Sequence, residues 1–177
     1  VPPIPVDELD EMSRWLYYAH AQDLLTIEDE HVRNARHAYY GMTSYVDDKV
    51  GRIMETLRAT DQADNTIVIF ISDHGEMLGE RGKWFKQYFY EGSVRVPMII
   101  YDPDSAADGT RGTTSETLVE SLDMIPTFLD TLGGLNDLEH VLEGKSLVPT
   151  LHGTQDGSLR EAVFAEIDYA FKPARTY

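Results

Sequence analysis

The chain is 177 residues long, enough for one ordinary domain with a real core. Its 15 Lys and Arg against 31 Asp and Glu leave a formal charge of -16, which argues against nucleic acid and anionic membrane surfaces as partners of the whole molecule. No apolar run approaches the roughly 18 residues of a spanning helix and no signal peptide is visible; the lack of cysteine fits a reducing cytoplasm, the expected compartment.

The chain opens without methionine at Val1, in a proline-dotted segment (Pro2, Pro3, Pro5), and is expected to be a piece of something larger. Residues 1–25 read as irregular, with a short helix over 10–24. Thr26 followed by Asp29 resembles a capping box, and Glu28 and Glu30 add the acid that suits a first helical turn. Apolar or aromatic positions then recur at Val32, Ala35, Tyr39, Met42, Val46, Val50, Ile53 and Leu57, spacings of three and four that predict an amphipathic helix. After a polar connection over 60–65, the β-branched and aromatic run of residues 66–72 reads as a strand buried on both faces, as in the middle of a parallel sheet. Helix, tight loop and buried strand together are an α/β signature.

Glycine and charge make residues 75–82 a predicted loop, and 84–90 is aromatic-rich without a clear period. Residues 96–101 read as a second buried strand with Pro97 near its start, where a missing donor is tolerable. A surface loop is expected over 102–115. Pro126 then belongs in the first turn of a helix beginning near Ser121 or Asp123, with Phe128, Leu129 and Leu132 as its buried side and Gly133-Gly134 as its end. Residues 162–167 read as a third strand.

Ligands of open α/β sheets bind beyond the carboxyl ends of the strands. There the first strand presents Asp73 and His74, then a glycine that lets the backbone turn away. Carboxylate and imidazole are donors that divalent metals accept, so this pair reads as half of a metal site; such ions want four to six donors. The bland alternative is a strand-end turn in which Asp73 caps a neighbouring backbone and His74 is polar surface. Lys83, Lys86 and Arg95 follow closely, and a cation beside a metal neutralises the oxygens of a transferring phosphoryl or sulfuryl group. Solvated loop charge is the competing reading for each. Trp84, Phe85, Tyr88, Phe89 and Tyr90 would suit a cage for a quaternary ammonium group, or plain lid and core packing. Asp47-Asp48 is not a metal pair, because adjacent helical residues point about 100° apart. His37, His140 and His152 read as surface residues, and Ser93 lacks a base at any recognisable spacing.

In order, Ala38-Tyr39-Tyr40-Gly41, residues 44–51, the block from Ser72-Asp73-His74-Gly75-Glu76 through Gly82, then Trp84-Phe85-Lys86, residues 91–97, 121–127 and 144–147 resemble the later part of the catalytic domain of a sulfatase in the alkaline phosphatase superfamily. The block around Asp73 is especially similar to choline sulfatases. The resemblance implies an α/β fold: part of an alkaline-phosphatase-like mixed sheet flanked by helices, incomplete in this chain. It makes Asp73 and His74 metal ligands, with Lys86 as the catalytic cation on the sulfate oxygens or the leaving group. It also puts Glu166 near the ammonium group of the substrate. The metal would be a divalent ion (Ca, Mn or Mg); where many sulfatases carry Asn this chain has His74, which favours the choline sulfatase and phosphonate monoester hydrolase branch.

The family's nucleophile is a Cys or Ser converted to formylglycine in a Cys-x-Pro-x-Arg or Ser-x-Pro-x-Arg motif, and its first strand supplies two further acidic ligands. Neither is in this sequence. Residues 1–177 are therefore expected to form a single partial sulfatase-type catalytic domain without the nucleophile-bearing half, inactive alone. The expected substrate is a small anionic sulfate ester. A phosphonate or phosphate ester hydrolase, or a non-catalytic truncated module, are the alternatives. Strands left uncovered predict a homo-oligomer or contact with the remainder of the protein.

Overall fold

The computed structural model describes residues 3–135, 138–155 and 157–166. The chain divides into two compact units: Val1–Glu55, Ile71–Pro97 and Glu166–Tyr177 form the first, Thr56–Phe70 and Met98–Ala165 the second.

In the first unit, α1 (Glu11–Ala19) starts where the Asp10 carboxylate accepts the Ser13 amide at 2.9 Å. It buries Leu16 against Met77 and Tyr88, with Met12, Trp15 and Tyr90 packed around them. The long helix predicted from apolar spacing forms as α2 (Asp29–Ala59). Its cap differs from the Thr26–Asp29 expectation: the Glu28 amide donates to His31 Nδ1 at 3.0 Å, so a side chain one turn inside the helix closes the first turn. No α2 residue is buried, and Tyr40 (69% exposed), Met42, Tyr45, Val46 and Ile53 lie open. Periodicity identifies a helix and its apolar face; it does not supply the surface that covers that face.

The predicted glycine-rich loop is a hairpin. Strand β2 (Met77–Leu78) pairs antiparallel with β3 (Trp84–Phe85), Met77 opposite Phe85 and Leu78 opposite Trp84. The turn between them passes through Gly79 at φ 91°, a left-handed conformation that glycine adopts without strain. Arg36 on α2 holds the hairpin, donating from Nε to the Leu78 carbonyl and from Nη2 to Glu80, both at 2.9 Å. A short helix, α3 (Glu91–Val94), completes the unit.

In the second unit, β1 (Val68–Ile71) lies beside β4 (Met98–Tyr101) in a two-stranded sheet. Both strands sit inside the predicted runs, but β1 is half-buried throughout rather than buried on both faces. Ile67, Ile69 and Ile100 line an open cleft of about 200 Å³ together with Thr127, Phe128, Thr131 and Leu151, so one sheet face is only partly covered.

A turn of 3-10 helix at Ser121–Asp123 runs into α4 (Met124–Thr131) with Pro126 in its first turn, as expected. The buried side is not the expected one: Met124, Pro126 and Thr127 are buried, whereas Phe128 is 44% and Leu132 83% exposed. Thr127 is held by its hydroxyl, which accepts the Leu147 amide at 3.0 Å just before α5 (Val148–Leu151). Residues 162–166 form no strand, and Ile167 lies outside the described residues.

Two polar clusters brace this unit. Asp123, fully buried, accepts both terminal nitrogens of Arg160 and the amides of Glu120 and Lys145. Burial pushes its carboxyl up, and the Arg160 fork and the amides outweigh that, holding it below the usual carboxylate value. Asp102, in the predicted surface loop, is also buried: it accepts the Asp104 amide at 2.9 Å and lies 3.0 Å from His152 Nε2, while Arg111 donates to its carbonyl. His152 therefore has a partner, contrary to the surface reading.

Candidate active site

The hairpin returns the chain, and the backbones of Gly75 and Lys86 both bond to Ser93. Met77 faces Phe85, so the residues just before β2 and just after β3 lie at the same end of the ladder. Lys86 directly follows β3 at that end, while Asp73 and His74 lie in the segment between β1 and β2.

Ser93, buried in α3, ties the two arms together. Its backbone carbonyl accepts the Gly75 amide at 2.8 Å, and its hydroxyl donates to the Lys86 carbonyl. The same carbonyl accepts the Tyr88 amide at 2.8 Å. Gly75 allows this approach: a Cβ there would stand 2.0 Å from the Gly92 carbonyl oxygen. Sequence reasoning set Ser93 aside as a nucleophile, and the structure gives it another task as a buried brace.

Asp73 and His74 converge. His74 Nε2 lies 3.4 Å from Asp73 Oδ2, and Asp73 Oδ1 accepts the His74 amide at 3.0 Å. His74 Nδ1 lies 2.8 Å from the Gly75 carbonyl, which can only accept, so Nδ1–H donates there and Nε2 is the nitrogen that faces the carboxylate. Donors bound at right angles to one ion at about 2.0–2.6 Å stand roughly 2.8–3.7 Å apart, so the pair has the spacing of two neighbouring ligands. The Asp73 side chain is 82% exposed and that of His74 35%. Among the described residues no third His, Asp or Glu joins them in a metal-sized cluster. The donor set fits a divalent cation, as two of its ligands.

Lys86 is exposed, and among the described residues its ammonium carries no ion pair or hydrogen bond to protein. The other cations are engaged. Arg95 pairs with Glu91 at 3.4 Å. Lys83, expected as loop charge or a site cation, is only 2% exposed, with Nζ 5.4 Å from the Tyr88 ring centroid. Burial pushes its ammonium below the usual lysine value, and the Asp10 carboxylate pulls part of the way back.

The aromatic group does not form an open cage. The Arg81 guanidinium lies over Tyr90 at 4.8 Å, Lys83 faces the buried Tyr88, and Phe85 meets His20 edge-on at 4.8 Å. Glu166 is exposed in irregular chain and makes no described hydrogen bond to Asp73, His74 or Lys86.

The Sulfatase family model matches residues 9–134. The choline-sulfatase of Rhizobium meliloti (strain 1021) is 40% identical over 153 residues, which cover 86% of this chain and 29% of that protein. A multifunctional alkaline phosphatase superfamily protein of Trinickia caryophylli is 31% identical over 168 residues, 94% of this chain and 32% of its own length. The crystal structure of a phosphonate monoester hydrolase of Agrobacterium radiobacter superimposes with a TM-score of 0.71 at 36% identity, covering 81% of this chain and 28% of that one. The chain thus spans under a third of the length of these relatives. The fold is the alkaline-phosphatase-like α/β fold in part, as the sequence implied. With the family's pattern running through both arms of the hairpin and over most of the chain, the protein belongs to the sulfatase family.

Proposed function

We propose that this chain is part of a single catalytic domain of a metal-dependent sulfuric ester hydrolase of the choline-sulfatase kind. The observation that supports it best is the hairpin end, where an Asp73–His74 donor pair and an uncommitted Lys86 are tied through Ser93.

In this reading Asp73 and His74 hold a divalent cation, which when bound polarises the oxygens of the ester. Nδ1 of His74, engaged with the Gly75 carbonyl, keeps the ring turned so that Nε2 faces the cation. The Lys86 ammonium neutralises charge on the sulfuryl oxygens or the leaving oxygen as the S–O bond breaks, and Glu166 faces the cationic end of the substrate. Formylglycine, the family's nucleophile, has no counterpart motif among these 177 residues, so the chain alone is expected to be inactive.

The test is hydrolysis by the protein that carries this chain, with choline sulfate, an aryl sulfate and a phosphonate monoester compared at equal concentration. Preference for a sulfate ester, lost by about 100-fold or more in Asp73→Asn and in Lys86→Ala, supports the reading. Preference for the phosphonate ester favours the second reading, a phosphonate monoester hydrolase, which the structural likeness to the Agrobacterium enzyme supports. Turnover by the isolated 177 residues, abolished in Asp73→Ala, would overturn the proposed inactivity.

A further inference from the structure

Lys86 sits between two residues that are both held by one imidazole. His20 follows α1 and closes it, its amide donating to the Leu16 carbonyl at 2.9 Å, so its backbone is anchored on the most buried leucine of the first unit. Its ring packs edge-on against Phe85, the residue before Lys86, with centroids 4.8 Å apart. Its Nε2 lies 2.7 Å from Oε1 of Gln87, the residue after. Since Oε1 only accepts, Nε2 carries the proton and donates.

Two details show that this contact is more than packing. Phe85 has φ 68°, a left-handed conformation that costs a bulky side chain and persists only where the surroundings impose it. His20 is the ring that meets Phe85, and the turn there swings the next residue, Lys86, out of the ladder. His20 Nδ1 is also buried without a hydrogen-bond partner among the described residues. The ring is thus oriented for Gln87 and Phe85 at the expense of its own second nitrogen.

We propose that His20 is a positioning residue for Lys86. It clamps the residues on either side, while Ser93 and the Tyr88 amide hold the carbonyl of Lys86 itself. A flexible lysine contributes to charge stabilisation only where its ammonium meets the developing charge, and fixing the backbone on both sides narrows the arc it sweeps. This inference rests on the reading of Lys86 as the catalytic cation.

The test is a double-mutant cycle in the protein that carries this chain, with a sulfate ester as substrate, plus amide hydrogen exchange on the same variants. Lys86→Ala is expected to lower kcat by about 100-fold or more. His20→Ala is expected to lower kcat by about 10-fold to 100-fold with KM little changed, and to speed exchange of the Gln87 and Tyr88 amides. In the Lys86→Ala background, His20→Ala should cost no more than about twofold further. His20→Phe, which keeps the ring on Phe85 and removes the bond to Gln87, guards against a folding defect and should lose part of the same factor.

Full multiplication of the two losses would overturn the clamp, because His20 would then act independently of Lys86. So would an inactive Lys86→Ala beside a fully active His20→Ala. Full activity of Lys86→Ala would overturn the reading of Lys86 and its clamp together, whatever the exchange rates.

Discussion

The hydroxyl of Ser93 donates to the carbonyl of Lys86, while the carbonyl of Ser93 accepts the amide of Gly75 at 2.8 Å. One buried residue therefore links the strand end that carries Asp73 and His74 to the strand that delivers Lys86. Ser93→Ala keeps the backbone link and removes the hydroxyl one. It is expected to cost about 1–3 kcal/mol of stability and to lower kcat by roughly 10-fold. Denaturant melts and initial rates on the same preparation check both.

Gly75 and Gly41 make a matched pair. A methyl at Gly75 would press on the Gly92 carbonyl at 2.0 Å, whereas among the described residues nothing lies within 4 Å of one at Gly41, in the exposed middle of α2. Gly75→Ala is expected to destabilise by at least about 1–3 kcal/mol, as overpacking against backbone does. Gly41→Ala should stabilise by about 0.5–1 kcal/mol, the helical preference of alanine over glycine. Urea titrations that ranked them the other way would contradict the close approach at the site.

Arg160 and Asp123 test the buried ion pair of the second unit. Their side chains are 9% and 0% exposed. Arg160→Met leaves a buried carboxylate with only its amide donors and should cost about 3–5 kcal/mol. Asp123→Asn should cost a comparable amount, since its NH2 would face two donors where the carboxylate oxygen accepts both, and Arg160 would keep only Glu120. Equilibrium unfolding followed by circular dichroism measures both.

Acid should weaken the second unit. Burial raises the carboxyls of Asp102 and Asp123, but the donors around them win: the Asp104 amide, His152 and Arg111 for Asp102, and Arg160 with the Lys145 and Glu120 amides for Asp123. A carboxyl lowered in the folded state binds fewer protons than in the unfolded chain. Its contribution is therefore complete above the ordinary value of 3.8 and is lost as pH falls through the folded values. Melting temperatures between about pH 5 and about pH 2 should fall, and fall less steeply in Asp102→Asn.

Lys83 shifts in the same direction, with the opposite consequence at neutral pH, where its buried ammonium costs stability. Its ammonium is lowered by burial below the ordinary 10.5, so the folded state binds fewer protons and stability rises as pH climbs from the folded value toward 10.5. Lys83→Met keeps the apolar stem and removes the charge. Its stability at pH 7 should equal or exceed that of the parent, and its rise with alkaline pH should flatten in a series of thermal melts.

Elements with long regular signatures were legible in the sequence. The spacing from Val32 to Leu57 marked α2, the apolar runs marked β1 and β4, and Pro126 marked the first turn of α4. Asp73 and His74 stand out in the sequence as a donor pair after a strand, whereas Lys86 is singled out from Lys83 and Arg95 only by the resemblance to sulfatases. The hairpin between Gly75 and Lys86 was not legible. Its strands are two residues each, too short for a period, and glycine and charge dominate the turn between them.

Pairings across sequence distance stayed hidden for a related reason. Asp102 and His152 meet 50 residues apart, and His20 and Gln87 meet 67 apart. Nothing local marks either histidine, since an imidazole after a helix reads as surface until its partner is seen. The burial of Lys83 was equally hidden, one residue from Trp84 in a stretch that reads as solvated loop.

The ladder of Met77–Phe85 and Leu78–Trp84 also acts as a length gauge. A one-residue slip of Phe85 against Met77 would move the start of the Lys86 segment by about 3.3 Å along the ladder. Substitutions in the turn at Glu80–Gly82 leave that register intact. Related sequences should accordingly drift in composition here while holding the interval from His74 to Lys86 constant, and a natural insertion in that interval would mark a relative without the role proposed for Lys86.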